Sequence, residues 1–201
     1  MSGYRTIMSR RSHRVAINLD TKGLKELSED DLKAILRGAD DIIAQGGRTL
    51  LMRILRGSAI KDVLDRGLDQ SPVYGYFRDL PNDATLARID WVILNGYLRI
   101  EYASRLPLLV YTQEGWEIER EMYSNELLEK IEAALTYGPP YEMAHLKDRD
   151  RGMILLLLDK VAATGNRKFI PALKAWKRVD YKKVQQRIQQ TIQRLEANDS
   201  Q

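Results

Sequence analysis

Residues 97–113 contain two short stretches in which apolar and polar side chains alternate. The stretches are residues 97–103 and 108–113, and Ser104-Arg105-Leu106-Pro107 lies between them. Alternation with a period of two is typical of half-buried antiparallel strands, so this part of the chain predicts a β-hairpin with a short tip. The hairpin restricts the choice of fold because helical patterns come directly before it.

Three helical segments are predicted ahead of the hairpin. The first covers residues 48–55 and ends before Ser58, which is placed to cap a second segment over residues 59–66. The third runs from Asp83, a predicted N-cap, to Asn95-Gly96, where glycine fits a left-handed exit. Three helices followed by a β-hairpin is the order of a winged helix, which is a helix-turn-helix with an added wing.

Two further patterns describe the faces of these helices. An amphipathic helix is predicted over residues 30–45, after the capping-box sequence Ser28-Glu29-Asp30-Asp31. In the third segment, the spacing of apolar residues predicts that Thr85 and Arg88 face solvent. In many winged helices that face reads the major groove of DNA.

The rest of the chain is predicted to be helical. Helices are expected over residues 124–137, 148–164, 167–178 and 180–197. The stretch DKVAATGNRKFIPALKAW resembles a HEAT-type helical hairpin, in which a Gly-Asn turn links antiparallel helices. The predicted fold class is therefore mainly α with a small β-hairpin. We expect three parts: a basic, partly flexible arm over 1–27 with a short strand at 15–19, a winged-helix domain over 28–122, and a HEAT-like all-α domain over 123–201.

Positive charge is concentrated at the two ends of the chain. Residues 1–20 carry a net charge of +3, residues 160–198 carry +8, and residues 46–122 carry −1. Attraction to a phosphate backbone grows with the number of basic side chains near it. The near-neutral centre therefore counts against strong DNA binding by the winged helix alone.

Several classes of function lack their sequence signals. The chain has no cysteine, which excludes thiolate metal sites, and no G-x-x-x-x-G-K-[ST] loop for nucleotide phosphates. His13 and His145 lack ligand partners at helical spacing, and no serine lies in a G-x-S-x-G setting. No apolar run approaches the ~20 residues of a membrane span. We expect a cytoplasmic protein, nucleoid-associated if bacterial, with no enzymatic activity, no metal and no cofactor.

Residues between 55 and 115 resemble the RQC domain, a winged helix that lies carboxy-terminal to the core of RecQ helicases. The resemblance rests on matching residues at matching spacing. They are Leu55-Arg56-Gly57-Ser58, Ile60, Gly67, Ser71, Tyr74-Gly75, Ile89, Gly96-Tyr97-Leu98, Leu109 and Thr112-Gln113-Glu114-Gly115. The resemblance implies that the segment Arg56-Gly57-Ser58 lies against a DNA backbone. It also implies a smaller role for the third helix, where Asp90 replaces a residue that is basic in the family.

Candidate DNA-binding residues follow from these patterns and from the resemblance. The free N–H groups of a helix that begins after Gly57, beside Arg56 and Lys61, would form a phosphate-binding site. The alternative is that Ser58 only caps its helix. In the hairpin, Arg105 would contact a DNA backbone. Leu106 is a small wedge and no aromatic residue lies at the tip, so we do not expect this wing to separate strands. The full set is Arg53, Arg56, Ser58, Lys61, Arg88, Arg105, Leu106, Lys168, Lys182 and Lys183.

Two functions are therefore compared. The first is a non-catalytic protein that binds duplex or junction DNA through its backbone, with low sequence specificity, in repair, replication or recombination. The second is an interaction module that docks a separate helicase or other repair protein, which the near-neutral charge of residues 46–122 and the apolar hairpin tip favour. A positive surface across residues 56–61 and the wing would favour DNA, whereas a large apolar patch would favour a protein partner.

Overall fold

A computed structural model describes residues 15–197 of the chain. Residues 1–14 and 198–201 lie outside the described part, and with them His13 and the arginine-rich start of the predicted arm. The chain forms two compact units that meet in sequence between Trp116 and Glu117. No helix in the described part is long and apolar enough to cross a membrane.

The first unit has the element order of a winged helix, which confirms the predicted fold class. Its helices are α1 (Glu29–Asp40), α2 (Arg48–Leu55), α3 (Lys61–Asp65) and α4 (Asn82–Leu94), with a 3-10 turn at Leu68–Gln70. Strands β1 (Leu98–Ala103) and β2 (Leu106–Tyr111) follow, and then helix α5 (Gln113–Tyr137).

The core of this unit lies between α1, α2, α4 and the hairpin. Three helices and both strands contribute completely buried side chains to it, namely Ile35, Ile54, Ile89, Leu98 and Leu109. Burying side chains of this size stabilises a fold by about 1.5–3 kcal/mol each. The apolar periodicity of the sequence therefore identified the elements that build the core.

The hairpin is more compact than the sequence predicted. β1 and β2 pair antiparallel from Leu98 opposite Tyr111 to Ala103 opposite Leu106. Only Ser104 and Arg105 form the turn, and Ser104 has a positive φ of 58°. The four-residue tip was therefore wrong, because Leu106 belongs to β2. A two-residue turn with positive φ matches the twist of paired strands.

The loop between α1 and α2 holds the hairpin against the helices. Ala44 N–H donates to the carbonyl of Leu109, and Leu109 N–H donates to the carbonyl of Gly46, both at 2.9 Å. A Cβ at Gly47 would lie 2.6 Å from the carbonyl oxygen of Pro107, so glycine is required there. These contacts pair backbone groups that an edge strand would leave open.

Several local expectations were wrong. α4 begins at Asn82 with Pro81 at the N-cap position, so Asp83 lies in the first turn and does not cap the helix. Thr85 is completely buried, and its hydroxyl donates to the carbonyl of Pro81 at 3.3 Å. Residues 15–19 form no strand. They are held by a side chain instead, because the Tyr102 hydroxyl donates to the carbonyl of Val15 at 2.8 Å.

The second unit is helical. α5 continues into it and is followed by α6 (Arg151–Ala163), α7 (Ile170–Val179) and α8 (Lys182–Ala197), with 3-10 turns at Ala144–Leu146 and Arg167–Phe169. α6 and α7 both pack on α8. Trp176 and Phe169 are completely buried in this unit. The predicted starts of α6, α7 and α8, at residues 148, 167 and 180, were two or three residues too early.

The predicted start of α5 at Ser124 was also wrong. The helix begins at Gln113, eleven residues earlier, because Thr112 Oγ1 accepts a hydrogen bond from Gly115 N–H at 3.1 Å. A threonine three residues before the N–H that it accepts from is an N-cap signal. The boundary between the two units consequently falls inside a continuous helix.

Candidate nucleic-acid interface

A cleft of about 550 Å³ lies in the first unit where α2, α3 and β2 meet residues 15–18. α2 contributes Arg48 and Arg53, α3 contributes Asp62, and Arg66 follows directly after α3. The wing borders this cleft through β2, because Leu106, Pro107 and Leu108 also line it. Arg48 is paired with Asp90, so Arg53 and Arg66 against Asp62 leave the lining with a net positive charge.

Four basic side chains on these elements are free of internal partners. Arg53 and Arg66 line the cleft, Lys61 begins α3, and Arg105 lies in the turn of the wing. Within residues 15–197, none of the four forms an ion pair or a side-chain hydrogen bond. Lys61, Arg66 and Arg105 are exposed and Arg53 is half-buried. These side chains can therefore turn toward an external anion at little cost.

Arg56 has a different environment from the one that the sequence suggested. Its Nη1 donates to the carbonyl of Arg78 at 2.7 Å and to that of Phe77 at 3.4 Å. Its Nε is buried and has no partner. The guanidinium thus holds residues 77–78 against the end of α2, and much of its hydrogen-bonding capacity is used inside the protein.

Ser58 does not cap a helix. α3 begins only at Lys61, with Ile60 as its N-cap and no side-chain hydrogen bond at the cap. The N–H of Ser58 donates to the carbonyl of Arg53 at 2.9 Å, and the residue is half-buried. The helix predicted over about 59–66 is present but covers only Lys61–Asp65. Its predicted start was wrong, because Ile60 has an extended backbone, so Ser58 does not stand at the helix N-terminus as the predicted anion site required.

Helix α4 offers no free cation. Arg88 is its one basic residue, and the Nε of Arg88 lies 3.3 Å from a carboxylate oxygen of Asp31. Its Nη1 donates to the carbonyl of Ala84 at 3.1 Å, and its guanidinium carbon lies 5.7 Å from the centre of the Phe77 ring. Arg88 was predicted to face solvent, but its guanidinium instead contacts other groups of the same unit.

Asp90, on the same helix, is buried and paired. Its side chain is 3% exposed, and Arg48 Nη1 lies 2.5 Å from both carboxylate oxygens. The N–H of Asp20 donates to the same carboxylate at 2.9 Å. Asp90 therefore joins α4 to the start of α2 and to the chain before α1, and it cancels the charge that Arg48 brings to the cleft.

Residues 25–132, more than half of the chain, match the RQC domain family. The chain belongs to the RQC domain family. RQC domains are winged-helix domains that typically bind DNA in RecQ helicases. No curated protein matches the chain, and no solved structure matches it.

The structure explains why several RQC marker residues are glycines. A Cβ at Gly57 would lie 3.1 Å from the Cα of Gly75, and both residues have positive φ, at 69° and 75°. The N–H of Gly75 donates to the carbonyl of Ile54 at 2.9 Å, so the two turns are held together. A Cβ at Gly115 would lie 1.9 Å from the carbonyl oxygen of Tyr97, which leaves no room for a side chain. These residues set the path of the RQC backbone.

The wing of this RQC domain presents an arginine and a leucine. Arg105 is exposed in the turn, and Leu106 is 65% exposed at the start of β2. Leu106 is paired with Ala103 in the hairpin, so it lies beside the turn and lines the cleft. Leu106 is exposed enough to contact DNA. However, it lies in a strand, whereas a residue that separates base pairs would lie at the tip of the wing.

The remaining candidates lie in the second unit. Lys182 and Lys183 begin α8, and Lys168 lies in the 3-10 turn before α7. All three are exposed, and none has an ion-pair partner among the described residues. Lys182 and Lys183 line a common cleft, whereas Lys168 does not line it.

Sequence reasoning missed Arg66. It follows a short helix with no recognisable signal, and only the fold brings it to the cleft that Arg53 lines. The described residues contain no group of three or more side chains that could hold a metal ion.

Proposed function

We propose that this protein binds DNA through the sugar–phosphate backbone, using the RQC winged helix. Arg53, Lys61, Arg66 and Arg105 would contact phosphates. The observation that carries the proposal is the position of these four cations, none of which is paired within the described residues. Arg53 and Arg66 line the cleft, Lys61 directly precedes the cleft-lining Asp62 on α3, and Arg105 lies in the turn of the wing. Charge-assisted hydrogen bonds from arginine to phosphate are the common means of such binding.

The state of α4 favours backbone contact over reading of bases. Its single cation is held by Asp31 and Phe77, and its first turn carries Asp83. Base readout in the major groove needs side chains that are free to reach the edges of base pairs. We therefore expect low sequence specificity.

The finer role is part of the same proposal. A backbone-binding winged helix without a nucleotide-binding loop suits duplex or branched DNA that a separate helicase or repair protein processes. This would place the protein in repair, replication or recombination, without catalytic activity of its own. The low formal charge of the unit supports dependence on a partner, because few phosphates would be neutralised.

Fluorescence anisotropy with labelled duplex, fork, four-way junction and single strand would test the proposal over a range of KCl concentrations. R53Q/R66Q should lower the slope of log K against log [salt] by about 2, since each lost phosphate contact on duplex DNA removes about 0.9. Two duplexes of different sequence should lose affinity equally.

The matched control is K33Q/R99Q. It removes two cations from the same unit, but Lys33 is paired with Glu29 and Arg99 with Glu101. This control should retain the salt dependence of the wild type. Unchanged binding by R53Q/R66Q, or an equal loss in the control, would contradict the assigned surface.

Docking of a protein is the second candidate, and one observation favours it. Leu106 is 65% exposed and adjoins the cleft, as a contact residue for a protein partner would be. Under this alternative, L106D would abolish capture of a helicase partner and leave DNA affinity unchanged. A loss of DNA affinity in L106D would instead support contact between the wing and DNA.

A further inference from the structure

The second unit contains a separate cleft of about 650 Å³ with a basic lining. The segment before α6 contributes Lys147 and Arg149, α6 contributes Arg151, and the start of α8 contributes Lys182 and Lys183. Five cations thus converge on one cavity from two stretches of the chain, residues 147–151 and 182–183, that are about thirty residues apart in sequence.

The two carboxylates in the lining are already engaged by neutral donors. Asp180 accepts from Trp176 Nε1 and from the N–H of Tyr181, both at 2.6 Å, and it is buried. Asp148 accepts from the Tyr181 hydroxyl at 3.0 Å. Within the described part of the chain, none of the five cations forms an ion pair. Five positive and two negative charges leave the cleft at +3.

An aromatic ring lies in the same cleft. Tyr181 is 57% exposed, although it is large and partly apolar. Its hydroxyl is fixed by Asp148, and the Nζ of Lys147 lies 4.9 Å from the centre of its ring. The hydrogen bond and the cation already restrict the orientation of the ring, so little further side-chain entropy would be lost when a base stacks on it.

We propose that this cleft binds single-stranded nucleic acid independently of the winged helix. Arg151, Lys182 and Lys183 would contact successive phosphates, and an unpaired base would stack on Tyr181. A groove of cations beside an exposed aromatic ring is the arrangement by which proteins hold single strands without reading their sequence. A duplex would meet only the cations, because its bases are stacked on each other. The site is distinct from the proposed duplex-binding surface and does not depend on it.

The test uses the full chain and labelled dT12 and rU12 at several salt concentrations. Y181A should weaken binding of both oligonucleotides by about fivefold to about 150-fold, which is the range found for loss of one stacked base. Y181F keeps the ring and should stay close to wild type. K182Q/K183Q should lower the salt slope by about 1.4, since each phosphate contact on a single strand contributes about 0.7.

Two controls separate this site from others. K174Q/R194Q removes two exposed cations of the same unit that do not line this cleft, and it should bind dT12 like wild type. R53Q/R66Q should lose duplex affinity and keep dT12 affinity. The duplex result tests the winged-helix surface and the dT12 result tests this cleft, so one proposal can fail without the other. Circular dichroism shows whether Y181A folds. If Y181A does not fold, K182Q/K183Q tests the site instead, because it changes exposed side chains only.

Three results would overturn the proposal. They are wild-type binding of dT12 and rU12 by K182Q/K183Q, an equal loss in K174Q/R194Q, and full competition of dT12 by a phosphoserine peptide at the same concentration of phosphate. The last result would assign the cleft to phosphorylated protein. Preference for one oligonucleotide over the other would identify DNA or RNA as the natural ligand and support the site.

Discussion

Removing Arg48, the cation that pairs with the buried Asp90, should strongly destabilise the winged helix. R48M keeps much of the volume of the arginine side chain but leaves the Asp90 carboxylate without its cation. That carboxylate is 3% exposed, and within residues 15–197 only the N–H of Asp20 remains as a hydrogen-bond partner, at 2.9 Å. Breaking a buried pair in this way costs about 3–5 kcal/mol.

Because Asp90 keeps one hydrogen bond, we expect the lower end of that range, about 3 kcal/mol. For a domain of this size, 1 kcal/mol corresponds to about 4–8 °C in Tm, so R48M should lower Tm by about 12–24 °C. Urea unfolding followed by circular dichroism measures the free energy of unfolding directly.

The double variant R48M/D90N separates loss of the pair from burial of an isolated charge. Asparagine can still accept from Asp20, so R48M/D90N should be at least about 1 kcal/mol more stable than R48M. The matched control is R99M, because Arg99 and Glu101 are 58% and 56% exposed. It should change stability by less than about 0.5 kcal/mol. A loss below about 1 kcal/mol in R48M, or no recovery in the double variant, would refute the reasoning.

Three further predictions concern single positions. G115A should lose more than about 2 kcal/mol of unfolding free energy, since its Cβ would lie 1.9 Å from the Tyr97 carbonyl, and wild-type stability would contradict that packing. S58A should stay within about 0.5 kcal/mol of wild type in the same assay, because Ser58 caps no helix, whereas a loss above 1 kcal/mol would restore a capping role. Partial burial and the charges of Arg149 and Lys130 hold the pKa of His145 below its usual value of 6.5. The folded state therefore favours neutral His145, and the free energy of unfolding should decrease as the pH falls through 6.5. An NMR titration should place its midpoint below that value, R149Q should raise it, and a midpoint at or above 6.5 would contradict the assignment.

The sequence by itself determined the architecture of the first unit and its family. Period-two alternation identified the hairpin, and Gly96, with a φ of 80°, ended α4 as predicted. Local signals of this kind involve residues that are close in sequence, so they act before the fold is complete. The exact element ends were less predictable, as Ser58 and Asp83 show, because several polar residues compete for each cap.

Only the tertiary structure decided which cations are free. Arg56 is held by carbonyls 21 and 22 residues away, and Arg88 is paired with a carboxylate 57 residues away. Arg53 and Arg66 instead share one cleft and have no partner among the described residues. A charge is available to a ligand only when nothing in the fold neutralises it, and the neutralising groups are remote in sequence. The same physical reason hides the cleft around Tyr181 from any inspection of local pattern.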